Sequence, residues 1–383
     1  MIPVMRPWLG NEEAEAAAEA VSSGWIAQGP RVREFEEAFA AAIGVPHAVA
    51  VSSCTAALHL AMIAAGLGPG DEVIVPSLSF IATANAVRYV GAQPVFSDVD
   101  LASQNLTPET VEPHLTGRTR AVMLVDQAGV PADLDAMRAL CDPLHITVIE
   151  DAACAAGSGY RGRPVGAGAE LAAFSFHPRK LLTTGEGGML TTRDGSVAAR
   201  LRRLREHGMD ISAADRHRIQ QPVMEHYIEV GFNFRMTDIQ AAIGLVQLRK
   251  LPQMVARRRA LAQRYQELLA DVPGLLTIND PPYGETNYQS FWTLLPEASA
   301  VGRDDLLQLL AAAGISARRG IMAAHLEPAY ADAEPSSLPV TERLTARSLI
   351  LPLFHEMTES QQEHVVSVVT SALTDPARAV PVP

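Results

Sequence analysis

The chain is poor in cysteine, in aromatic residues and in positive charge. Its three cysteines, Cys54, Cys141 and Cys154, are too few and too scattered for a disulfide framework or a zinc cage, so a reducing cytoplasm is the expected setting. Aromatic residues make up only 5% of the chain, which leaves Ala, Val, Leu and Ile to build the core and suits helices packed on a buried sheet. Lysine and arginine number 31 against 43 acidic residues. The net charge of −12 excludes the broad basic field of a nonspecific nucleic-acid binder, although it leaves room for a small basic pocket. No apolar run reaches about 18 residues, and no charged-then-apolar leader is seen, so neither a membrane span nor secretion is expected. At about 150 residues per domain, 383 residues make two domains, or one large core with an appendage.

What the sequence does have is alternation. Short apolar runs at 48–53 (AVAVSS), 72–77 (EVIVPS), 93–100 (QPVFSDVD), 120–126 (RAVMLVD) and 145–151 (HITVIED) read as strands. Helical patterns fall between them, from Thr55 to Gly66, over 80–91 and near 132–141. Fully apolar strands separated by helices imply an α/β fold with a mostly parallel sheet covered on both faces. Ligands of such sheets sit beyond the carboxyl ends of the strands, which directs attention to Ser52, Ser77, Asp126 and Asp151. The arginine-rich stretch near 195–208 reads as a surface helix with a solvated face. Helices at 236–251 and 253–270 follow, then prolines, an aromatic strand, a helical DDLLQLLAAAGI and a last helix near 359–373. A boundary near residue 252 would divide a larger domain, 1–252, from a smaller one, 253–383. The PVP end reads as loose.

Chemistry concentrates in a few segments. In AAFSFHPRKLLTTGEGGML (172–190) a strand ends at Ser175, and a turn presents Lys180 between apolar residues and a glycine-rich loop. Burial there would lower the lysine pKa and make it a nucleophilic amine, as a Schiff base requires. The alternative is a solvated loop lysine, and TGEGG does not match a phosphate-binding P-loop. Asp151, at the end of a buried strand, needs a partner. A protonated pyridine nitrogen, as in pyridoxal phosphate (PLP), would serve, and so would the N–H groups of a following helix. SSCTAALHLA (52–61) sets small hydroxyl residues at a strand-to-helix turn, where a phosphate could bind or ordinary capping could occur. Phe80 could cover a flat heterocycle or belong to the core. Asn233 and Arg235 lie in an apolar stretch, 230–242, and need partners that a subunit interface could supply.

In their order along the chain these segments resemble the PLP-dependent nucleotide-sugar aminotransferases of the DegT type, within the fold-type I aminotransferases. The likeness runs from GWIAQGPRVREFEEAFA (24–40) through SSCTAALHLA, PSLSFIATANAV, EDAACAAGS and FSFHPRKLLTTGEGG to GFNFRMTDIQAAIG. It implies PLP cycling through pyridoxamine phosphate (PMP), with Lys180 as the Schiff-base lysine and Asp151 facing the pyridine nitrogen. Phe80 takes the ring-stacking position, and Cys54, Thr55 and Ser175 take the phosphate-cup positions. It also implies a homodimer with shared sites, in which Asn233 reaches the phosphate of the neighbouring subunit. The expected partners are an amino donor, by analogy glutamate, and a keto sugar nucleotide. The FSFHP and TTGEGGM pattern resembles the branch that aminates C4 of 4-keto-6-deoxy sugars. Trp25, Gln28, Arg318, Arg319 and His325 are the candidate substrate contacts.

The chain departs from its relatives at Cys54, where glycine or alanine is usual, and at Cys154, where glutamine or histidine is usual. It also has Asp126 and Gln127 where a histidine often stands. A backbone role tolerates Cys54, whereas Cys154 removes a polar contact near the cofactor ring. Three other readings compete: amination of a cyclitol or other ketone, a sugar dehydratase, and a non-enzymatic regulator. The dehydratase reading is disfavoured by the presence of Lys180, and the regulator by the complete cofactor set.

Overall fold

The apolar runs pair into one seven-stranded sheet. Its strands are β1 (His47–Val51), β2 (Glu72–Pro76), β3 (Gln93–Ser97), β4 (Thr119–Val125), β5 (Thr147–Asp151), β6 (Leu171–Ser175) and β7 (Gly188–Thr192), in the order β1-β7-β6-β5-β4-β2-β3. This computed structural model describes residues 1–212, 224–332 and 337–374; the PVP end lies outside them. Only β7 runs against its neighbours, so the carboxyl ends of β1 to β6 share one edge. The reversal of β7 brings its first residue, Gly188, to that same edge, opposite Val51 and Ser175.

Side chains alternate across the sheet, and each face has its own core. Ala48 and Ala50 of β1 join Phe35, Phe39 and Phe174 on one side, while Val49 and Val51 join Leu58, Leu60 and Met62 on the other. The first face carries α2 (Pro30–Ile43), while α1 (Asn11–Ser22) packs against residues 238–269. The second carries α3 (Cys54–Ala64) and α4 (Ala82–Tyr89). Helix α5 (Leu134–Cys141) joins β4 to β5, and α6 (Gly195–Leu204) follows β7. Arg200, Arg202 and Arg203 are half-exposed, as a surface helix requires, but they also have partners. Arg200 and Arg203 pair with Glu229 at 3.0 and 3.4 Å, and Arg202 and the buried Arg205 pair with the buried Glu36. The amphipathic pattern is right about the helix, but it cannot show that two acids from elsewhere in the chain cover it.

The helices expected at 236–251 and 253–270 are one helix, α7 (Asp238–Leu269), of 32 residues and about 48 Å. Pro252 lies within it. A proline costs a helix one hydrogen bond and a steric adjustment, and here packing on both sides of it holds the axis. Gln247 and Lys250 bind Glu13 of α1 at 2.8 Å each. Beyond the proline, Tyr265 is buried beside Phe291.

The first residue of α7 also organises α2. Asp238 is fully buried, and its carboxylate accepts the N–H groups of Gly29, Arg31 and Val32 at 2.8, 3.1 and 3.0 Å. It therefore caps α2 from another helix and anchors the Trp25–Gly29 loop. Asp238→Ala leaves three N–H groups without that acceptor and is expected to cost about 3 kcal/mol, read as a lower midpoint in denaturant unfolding. Asp238→Asn keeps one acceptor oxygen and should lose less.

A second sheet follows: β8 (Leu276–Thr277), β9 (Phe291–Leu294), β10 (Arg318–Arg319) and β11 (Ser348–Leu351), antiparallel throughout in the order β8-β9-β11-β10. It packs with α8 (Arg303–Ala312), α9 (Pro339–Arg347) and α10 (Glu359–Thr374). The N-terminal residues join this part, since Ile2 bridges to Ile315 and Leu353 donates to the Val4 carbonyl at 3.0 Å. No described helix is long and apolar enough to cross a membrane.

Candidate active site

Lys180 follows β6 in a turn, with its N–H bonded to the His177 carbonyl at 2.8 Å. The turn is pinned by Gln289, which accepts the Leu181 N–H at 3.0 Å and donates to the Arg179 carbonyl at 2.6 Å. Buried Arg258 holds the Tyr288 and Gln289 carbonyls in turn, at 2.7 and 2.8 Å. The lysine amine thus sits on a braced loop, and it donates to Cys154 Sγ at 3.0 Å. The expected fall in the lysine pKa is not what the structure gives. Burial does lower it, but Cys154, together with Cys54 and Asp151, more than offsets that and holds the ammonium above its usual range.

Asp151, at the end of β5, is 4% exposed. One oxygen accepts the Thr83 hydroxyl at 2.8 Å and the other the Ala153 N–H at 3.2 Å, so the local turn and the outward role coexist. Thr83 in turn touches the Ser79 hydroxyl at 2.7 Å. Burial raises the carboxyl pKa, only partly countered by Thr83, Ala153 and Lys180.

Two more acids lie behind it. Asp126 and Glu150 are buried, and each has an oxygen without a hydrogen-bond partner. Burial, then the neighbouring Glu150, pushes Asp126 well up, and burial pushes Glu150 up to about 7. An acid whose pKa is higher folded than unfolded binds its proton more tightly when folded. Its contribution to stability is therefore full at low pH and lost as pH rises through the folded value. The cofactor-free protein should accordingly melt at a lower temperature at about pH 8 than at about pH 5. Glu150→Gln should flatten that slope in a thermal scan.

The third element is the start of α3. Ser53 caps it, accepting the Ala56 N–H at 3.1 Å, and the Ala57 N–H meets the Ser53 carbonyl at 3.0 Å. The N–H groups of Cys54 and Thr55 precede these bonds, as an anion site requires. Gly188 of β7 lies so close that a Cβ there would stand 2.6 to 2.7 Å from Ser53 and Cys54 backbone atoms. Gly185 has φ +83°, which supplies the turn that brings β7 back to this edge. Glycine at these two positions is what lets the strand, the turn and the helix start meet.

Of the residues expected at a cofactor, Lys180, Asp151, Cys54 and Cys154 come together, each within electrostatic reach of others of the set. Ser175 is 7% exposed at the end of β6. Phe80 is not a core residue: at 69% exposure it stands just before α4, free to cover a ring. Asn233 is exposed, with its backbone bridged to Glu206. Arg235 reaches Glu206 within the same chain at 3.7 Å.

The substrate candidates divide. Trp25 is 37% exposed, while Gln28 donates to Glu206 at 3.1 Å. Arg318 and Arg319 are exposed on β10, and Arg319 lies 3.9 Å from Glu327. Burial and the nearby Arg179 lower the Arg318 pKa, which places two cations on the same side as the lysine turn. His325 is turned inward: its Nδ1 meets the Ser77 hydroxyl at 2.6 Å, and its Nε2 lies 3.5 Å from Glu342. It joins the two parts of the chain. Sequence reading did not single out Thr83, Gln289, Asn287 or Arg258. The Ser79–Thr83 spacing of four, just after a strand, could have pointed to the first.

The residues present fit PLP. Among the described residues they offer an amine bonded to Cys154, a buried carboxylate, N–H groups at a helix start and an exposed aromatic ring just before α4.

Comparison with known proteins agrees. The model of the DegT/DnrJ/EryC1/StrS aminotransferase family matches residues 7–370. The structure is similar to aminotransferase TlmJ from Streptoalloteichus hindustanus, at 37% identity over 98% of this chain and 100% of that one, with a TM-score of 0.90. DesI, solved in the presence of its TDP-sugar product, is 35% identical over 98% and 94% with a TM-score of 0.89. The putative sugar aminotransferase Spr1654 from Streptococcus pneumoniae, in its PMP form, is 26% identical over 99% and 100%, with a TM-score of 0.92.

Proposed function

We propose, on the premise that this chain belongs to the DegT/DnrJ/EryC1/StrS aminotransferase family, that it moves an amino group from glutamate to a keto sugar nucleotide, at C4 of a 4-keto-6-deoxy sugar. The fold is that of the fold-type I aminotransferases, the protein is an enzyme, and its cofactor is PLP, cycling through PMP. The observation that carries the reading is the meeting of Lys180, Asp151 and the start of α3 at one sheet edge. The likeness to DesI, solved with a TDP-sugar product, supports a nucleotide sugar. The FSFHP and TTGEGGM segments support C4.

When bound, PLP supplies an electron sink and a carrier for the amino group. The chain does the rest. The Cys54 and Thr55 N–H groups and the Ser175 hydroxyl hold the phosphate. Asp151, its oxygens aimed by Thr83 and Ala153, holds the ring nitrogen protonated. Phe80 covers the ring and keeps water from one face. Lys180 Nζ would anchor the cofactor through its amine and, when free, would serve as the base that holds and moves a proton at the reacting centre.

Residues 1–252 form the cofactor domain in this reading, and residues 253–383 help close the sugar cleft. Trp25, Arg318 and Arg319 face the nucleotide, where arginine can grip phosphate bidentately. The exposed Asn233 reaches the phosphate of a partner subunit in a homodimer. Three unpaired cysteines suit a cytoplasmic setting. The test is the second half-reaction: PMP enzyme is offered nucleotide 4-keto and 3-keto sugars and cyclitol ketones, and the return of PLP absorbance is followed. Return with the 4-keto sugar is expected. Return with the 3-keto sugar alone overturns the C4 assignment, and return with the cyclitol alone overturns the sugar.

A further inference from the structure

Cys154 is the one side chain among the described residues at hydrogen-bond distance from Lys180 Nζ, 3.0 Å away. Its own backbone is held from a distant segment, because Asn287 Nδ2 donates to the Cys154 and Ala156 carbonyls at 2.8 and 2.9 Å. The sulfur is therefore a placed group and not a passing neighbour. We propose that Cys154 is the resting partner of the freed Lys180 amine, sharing its proton whenever the lysine is not bonded to cofactor and so governing when that amine can react.

The surrounding groups leave this role to Cys154. Asp151, on β5, has its oxygens engaged by Thr83 and Ala153. The Cys54 thiol, at the start of α3, is pushed well up by burial and then by Asp151, which keeps it protonated. Asp126, after β4, is likewise pushed up by burial and Glu150, and its placed hydrogen bond goes to Ala132. On the lysine turn itself, His177 faces Glu186 at 3.9 Å, and Arg179 is exposed. Cys154 is thus the group in contact with the amine that can take a proton from it. While the two are in contact, Nζ and Sγ hold one proton between them, and the amine becomes free to react with an aldehyde only when that proton leaves the pair. The contact therefore holds the amine back to a higher pH than burial alone would set.

The inference rests on Lys180 being the cofactor lysine, so the experiment separates the two. Cofactor-free, full-length enzyme is mixed with PLP, and the growth of visible absorbance is timed across pH for the natural protein and for Cys154→Ala, Cys154→Ser, Cys154→Asp, Cys54→Ala and Lys180→Ala. Lys180→Ala should give no lysine-linked band; a band there overturns the lysine and leaves Cys154 without a role. Bonding needs the neutral amine, and removing the sulfur takes away the largest of the groups that oppose burial at the lysine, leaving only Cys54 and Asp151 against it. The pH midpoint of the rate should therefore fall by about one unit or more in Cys154→Ala and Cys154→Ser, roughly a tenfold faster reaction below the midpoint. Cys154→Asp should restore the high midpoint, and Cys54→Ala should move it little. An unchanged midpoint in both the Ala and Ser variants overturns the proposal. So does an equal shift in Cys54→Ala, which would mean general charge and not contact. A merely structural role would change the amplitude of the band and leave the midpoint in place.

Discussion

Lys180→Ala is expected to lower steady-state turnover by about 10⁴-fold or more while leaving the protein folded and able to hold PMP. The amine has two roles, anchoring the cofactor and carrying the proton between carbons, and alanine removes both. The phosphate and ring sites should survive, because they depend on α3, Gly188 and Asp151, none of which leans on the lysine for its position. The turn is held by Gln289 through backbone groups, and those bonds remain when the side chain is cut. Lys180→Arg should fail as badly, since a guanidinium stays charged and cannot act as the base. The measurement is turnover with donor and keto sugar, alongside the visible band of the holoenzyme. A variant within tenfold of the natural rate would remove Lys180 from the chemistry.

The parts of this site that were legible in the sequence are those fixed by local pattern. The runs that became β1 to β5 are apolar on both faces because helices cover both faces, so they announce themselves, and Asp151 stands out at the end of one. The glycines of TGEGG mark a turn and a close approach, and both are found. What failed depends on contacts across the chain. Pro252 looks like a helix break, and only packing against α1 and Phe291 shows that the helix passes through it. The acids that pair with the half-exposed arginines of α6, Glu36 and Glu229, come from elsewhere in the sequence. The lysine pKa was read from burial alone, and the sulfur that reverses it is 26 residues away in sequence.

Asp151→Asn tests the electrostatic half of the mechanism, and its two readouts should part company. In the protein without cofactor the carboxyl is held above its usual range by burial, so a neutral amide there relieves a cost. The sign follows from linkage. An acid with a raised folded pKa loses its stabilising contribution as pH rises, so at about pH 8 the natural protein carries a penalty that asparagine lacks. Both donors to the site can still be met, since the amide oxygen accepts one, and the Thr83 hydroxyl can turn to accept from the amide nitrogen and donate to Ser79. The melting temperature of the cofactor-free variant should therefore equal or exceed that of the natural protein at about pH 8. Turnover should fall by about 10²–10³-fold, because a neutral amide cannot hold the ring nitrogen charged. PLP binding should persist, held by the lysine and the phosphate site. Natural turnover in Asp151→Asn would sink the electronic role, whereas loss of both stability and turnover would make the aspartate a structural cap. A stable, cofactor-loaded and slow enzyme is the outcome that this geometry requires.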